Sequence, residues 1–219
     1  MVVGSLLLID VLAAAVLVAL WYFIFARINR RKGAKVLRWV EVACSDRAQI
    51  TEAHWLGASR LQAHVRFAAH WFENARVTIR LLPRPLPIQW LLSRYYKQRE
   101  TVTFEANLDY VPGIHLEVRR HRWLTHRTSK LSQPARNWHV SRPGPVVLTT
   151  STHWRKELPP IVHTLMSTRG HNLLNVRFGP DAPHIVATID LESLSDEQAA
   201  ASFLGVVSDL AAGASTSRQ

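Results

Sequence analysis

At 219 residues, with 47% apolar side chains and eight tryptophans, the chain has room for one domain with a sizeable core, and its composition excludes an intrinsically disordered protein. A single cysteine, Cys44, excludes an internal disulfide and a CxxC zinc site. The net charge of +11 favours anionic partners, either phospholipid headgroups or nucleic acid, and says nothing about fold.

From Val2 to Ala26 the chain is apolar except for Gly4, Ser5 and Asp10. A helix of that length rises about 35–38 Å, enough to cross a hydrocarbon core of about 30 Å with some tilt. The run ends in Trp21, Tyr22, Phe23, Ile24 and Phe25, aromatic residues of the kind that sit at headgroup level, and Arg27, Arg30, Arg31 and Lys32 follow at once. Residues 1–26 therefore read as an uncleaved transmembrane anchor and 27–35 as a basic juxtamembrane linker. Basic residues follow the apolar run and none precedes it, which predicts a single-pass protein with its C-terminal domain in the cytoplasm. A cleaved signal peptide would carry its charges first and end in small residues. Asp10 is costly inside a span and points either to a helix–helix contact or to an acid reaching the interface.

The apolar residues of 36–44 fit both helical and strand periods. Beyond them, period-2 alternation predicts strands at Leu61–Ala69, Arg76–Leu81, Thr101–Leu108 and Ile114–Arg119. Gly57, Ala58 and Ser59 imply a partner strand over residues 49–55. The 109–113 turn predicts a hairpin between the strands either side of it, and the 179–183 turn predicts another. Val146–Thr150 reads as a further strand. Such alternation suits an antiparallel sheet with one covered face.

Helices are expected over Pro87–Tyr96, with Ile88, Leu91, Leu92 and Tyr95 on one side, and over Pro160–Thr168. A third follows Ser195, Asp196, Glu197 and Gln198, which resemble a capping box, and carries Phe203, Val206, Val207 and Leu210 on its apolar face. The predicted class is α+β: an N-terminal transmembrane helix, then a mainly antiparallel sheet domain over 36–212 with a few packed helices, including a C-terminal one. The proline-containing loop 127–145 is the place for a division within the domain, and 213–219 read as a disordered tail.

No motif of catalysis appears: no GxSxG, P-loop, GxGxxG or HExxH. The histidines lack metal-ligand spacing, so neither metal nor cofactor is expected, and the chain reads as non-enzymatic. No acid lies between Glu117 and Glu157, and within that gap Arg119, Arg120, Arg122, Arg127 and Lys130 are the candidate binding patch. Tryptophans repeatedly adjoin basic residues, as at His54-Trp55 and Arg38-Trp39. This arrangement suits a membrane interface or stacked bases, and equally a strand whose Trp faces the core. The expected partners are the lipid bilayer, its anionic phospholipid headgroups, and a membrane-associated protein. A membrane-tethered nucleic-acid-binding protein is the alternative, and a hydrolase with a dispersed active site stands third.

Overall fold

The computed structural model describes residues 2–45, 48–68, 72–109, 111–112, 116–120, 138–141, 146–151 and 173–216. It opens with one unbroken helix, α1 (Val2–Cys44). At 1.5 Å per residue α1 extends roughly 64 Å, twice what a bilayer core needs. The ambiguous segment 36–44 thus continues the helix. The basic stretch expected as a linker is helical throughout, because nothing between Ala26 and Val36 breaks a helix except Gly33, and Gly33 is held by packing.

In chain order there follow β1 (Ala48–Trp55), β2 (Arg60–Phe67), β3 (Phe72–Arg80), α2 (Pro87–Tyr95), β4 (Thr101–Leu108), β5 (Leu116–Arg120), β6 (Trp138–Ser141), β7 (Val146–Ser151), β8 (Leu173–Phe178), β9 (Ile185–Asp190) and α3 (Glu197–Thr216). The strands form one nine-stranded sheet in the order β1-β2-β3-β4-β9-β8-β5-β7-β6, antiparallel at every pairing. Alternation in β2, β3 and β4 matches burial, with Leu61, Ala63, Val65, Val77, Ile79, Val102, Phe104 and Ala106 all inside.

The β1–β2 turn places Gly57 at φ +84°, a backbone conformation that costs glycine nothing. The hairpin at 179–184 also forms, joining β8 to β9. The hairpin expected across 109–113 does not. β4 pairs with β3 and β9, while β5 pairs with β7 and β8. The late β8–β9 hairpin inserts between β4 and β5, so a turn that looks local in sequence spans two intervening strands. Sequential strands are neighbours only about two-thirds of the time, and here the distant partner wins.

Beyond its exposed half, α1 lays one stripe against the sheet: Asn29, Gly33, Val36, Val40 and Cys44, spaced four, three, four and four residues apart, are buried. A methyl group on Gly33 would lie 2.6 Å from the Trp55 ring, so the helix approaches β1 as closely as a bare backbone allows. α3 packs against α1 and adds Phe203, Val206, Val207 and Leu210 to the same core. Its N-cap is Asp196, which accepts from the Ala199 backbone N–H at 2.7 Å; Ser195 instead bonds the Asp196 carboxylate. The helix runs to Thr216, past the start of the expected tail, because Ala211–Thr216 contains no helix breaker stronger than Gly213. The helix predicted at 160–168 and most of loop 127–145 lie outside the described residues.

Candidate membrane-proximal site

Two halves of α1 meet different surroundings. Every residue from Leu8 to Leu20 is exposed, Asp10 among them, and the most apolar window has a mean hydropathy of 2.4 with none of it buried. This helix is long and apolar enough to cross a membrane. Trp21 contacts the domain. Its indole Nε1 donates to the Arg84 carbonyl at 3.0 Å, and its ring lies 4.4 Å from Phe25 and 6.2 Å from Trp90 of α2.

Two turns further on, a polar knot ties α1 to the segment between β3 and β4. The buried Asn29 amide donates to the carbonyls of Ala58 (3.1 Å) and Leu82 (3.0 Å), and its oxygen faces Arg84 at 3.4 Å. Glu100, also buried, accepts from Lys32, from Arg84 Nη2 at 3.0 Å and from the Leu82 backbone N–H at 3.2 Å. Two cations and an amide thus satisfy a carboxylate that would be costly to bury alone. A parallel clamp lies at the neighbouring strand end, where the Asp190 carboxylate accepts from Arg99 at 2.5 Å and from the Glu192 backbone N–H at 3.2 Å. The Asp190 hydrogen bond holds the Arg99 guanidinium above its ordinary value.

This geometry sorts the predicted flank residues. Trp21 is half-buried and faces the domain, whereas Tyr22, Arg27, Arg30 and Arg31 are exposed. Lys32 is committed to Glu100. Of the predicted basic patch, Arg119 and Arg120 lie on β5, Arg119 opposite Asn175 and Val147 and Arg120 opposite Val146. Arg122, Arg127 and Lys130 lie outside the described residues.

α2 carries the least expected feature. Its apolar residues do share one side, but that side points outward: Ile88 is 76% exposed, Leu91 64% and Tyr95 79%, while Ser93 is buried. Trp90, half-buried, and Ser93 form the inner side, with the Ser93 hydroxyl returning a hydrogen bond to the Trp90 carbonyl at 2.8 Å. In water this inversion forgoes about 1.5–3 kcal/mol for each large apolar side chain left uncovered. The signal was present in the sequence as the 88, 91, 92, 95 spacing. What the spacing withheld was the direction in which the face points. Asn29 and Glu100 carried no signal of their own, since a lone polar residue in a basic stretch and a lone acid before a strand are commonplace.

The outer face of the sheet is mixed in charge. Cross-strand pairing sets Glu52 beside His64, His64 beside Arg76, Arg76 beside Glu105, and Arg177 beside Glu117. Trp55 packs against the core while His54, on the other face, stacks on His64 with ring centroids 6.1 Å apart. An open depression at the end of the sheet far from the knot is lined by Thr51, Glu52, His64, Arg66, Glu73 and Asn74. Among the described residues no three His, Cys, Asp or Glu side chains are grouped to hold a metal ion. No protein-family model matches this sequence, and no curated protein is significantly similar to it.

Proposed function

We propose that this chain is a single-pass, membrane-anchored and non-enzymatic protein, whose cytoplasmic sheet domain works at an anionic membrane surface. One observation carries the reading: α1 is exposed on every side from Leu8 to Leu20, while the same helix continues without a break into the domain core. A core helix of a water-soluble protein would be covered, and a leader destined for removal would not supply Val36, Val40 and Cys44 to the core. Arg27, Arg30 and Arg31, exposed just past the apolar run, support this reading, since each basic side chain near an anionic surface is worth on the order of 1 kcal/mol. Among the described residues, the alternating charges of the outer sheet face offer no continuous basic track to a phosphate backbone, which puts the nucleic-acid reading second.

The test is extraction and protease protection of the full chain in cell membranes. The protein should stay with the membrane pellet through alkaline carbonate and high salt. The domain should be cleaved by protease added to inside-out vesicles and spared in right-side-out ones. Release by carbonate would remove α1 as a span. The opposite protection pattern would keep the span and reverse the orientation.

A further inference from the structure

We propose that α2 is a membrane-docking helix: its outward face of Ile88, Leu91, Leu92 and Tyr95 lies in the headgroup–acyl boundary beside the end of the α1 span and lays the domain against the bilayer. The inference rests on the reading of α1 as a membrane span and adds a second, in-plane contact. It also moves membrane binding away from the basic stretch 119–130, to which the sequence pointed.

Depth supplies the first argument. A hydrocarbon core of about 30 Å takes about 20 helical residues, and the aromatic cluster Trp21–Phe25 followed by Arg27 marks the headgroup level at which the apolar run ends. Trp21 is the residue that touches α2, through the Trp90 ring at 6.2 Å and the Arg84 carbonyl at 3.0 Å. α2 is thereby fixed level with the interface, and the exposed Tyr22, Phe23 and Ile24 of α1 stand close by at the same depth.

The composition of the helix agrees with that depth. Residues 81–98 contain no acid, and the outward face is aliphatic and tyrosine-rich, as interfacial helices are. Arg94, whose guanidinium lies 5.9 Å from the Trp90 ring, and the exposed Lys97 put positive charge at its C-terminal end. Arg27, Arg30 and Arg31 of α1 add exposed positive charge on the same side of the apolar run, which suits an anionic leaflet. The inner side of α2, by contrast, is held to the protein by Trp90 and the buried Ser93. The Leu81–Leu86 segment turns at Arg84 and Pro85, closed by the Leu86 backbone N–H donating to the Pro83 carbonyl at 3.1 Å, and its two prolines stiffen this mount of the helix.

The experiment uses the full chain in vesicles of phosphatidylcholine and phosphatidylglycerol at three to one, carrying a nitroxide at one introduced cysteine at a time. The positions are Ile88→Cys, Leu91→Cys and Tyr95→Cys on α2, Val16→Cys in the middle of the span, and Glu73→Cys at the far end of β3. The buried Cys44 stays in place. The expected result is loss of broadening by a water-soluble nickel chelate, with retained broadening by oxygen, at 16, 88, 91 and 95, and the reverse at 73. Nickel access at 88, 91 and 95 with protection at 16 would overturn the docking helix and leave the anchor standing. Nickel access at 16 would remove the anchor and the docking helix together. Spin–spin broadening at 91 and 95, with both reagents excluded, would identify a second copy of the chain as the cover and overturn the bilayer.

Discussion

Cys44 closes the buried stripe of α1, where the helix turns into the sheet. Burial pushes its thiol from 9.0 up to about 11, because the thiolate would have to leave water. Below about pH 9 the thiol is protonated whether the chain is folded or not, and its burial contributes fully. Between about 9 and 11 the unfolded thiol ionises first, so the unfolded state gains and stability falls as pH rises, by up to about 3 kcal/mol. Denaturant unfolding of the detergent-solubilised chain, compared with Cys44→Ala at pH 7.5 and 10.5, should show the wild-type advantage shrinking at the higher pH. An advantage independent of pH would mean that the thiol is already wet. From the sequence, Cys44 was readable only as a thiol with no disulfide or CxxC partner. The helical stripe that buries the thiol depended on 36–44 being helix, which its apolar spacing left open.

At the scale of elements, those with a strong internal period were the legible ones. β2, β3 and β4 announced themselves by alternation, and α3 by the apolar residues at 203, 206, 207 and 210. The tie between α1 and the segment preceding β4 had no such period, since it is made by Asn29, Lys32, Arg84 and Glu100, single residues far apart in sequence. Its importance is open to direct measurement. Glu100→Gln keeps the shape of the side chain but removes the charge shared by Arg84, which is 23% exposed, and Lys32, which is 40% exposed. Partial exposure of both cations moderates the loss, so the expected destabilisation is about 1–3 kcal/mol, read from thermal unfolding in detergent. Arg27→Gln, at an exposed position, should change stability by no more than about 0.5 kcal/mol. Equal effects from the two substitutions would show that the knot does not hold the helix to the domain.

For the whole molecule, the order of the sheet decides which strands depend on which. Proline content points to a division in loop 127–145; β6 lies inside that stretch, and β7, which follows it, pairs with β6 and with β5, which precedes it. β1–β4 reach β5, β7 and β6 through β9 and β8. Deleting residues 173–219 would therefore remove the middle of the sheet and, with α3, the Phe203, Val206, Val207 and Leu210 side chains from the core. The edge of β4, which carries the buried Phe104 and Ala106, would be left unpaired, and exposed edges of that kind recruit other chains. The expected outcome in detergent is loss of the near-ultraviolet dichroism of the tryptophans, no cooperative unfolding transition, and aggregation on removal of denaturant. A truncated chain that still unfolds in a single sharp transition would show the opposite: α1 with β1–β4 would then be an independent folding unit, and the domain would divide between β4 and β5, upstream of the proline-containing loop.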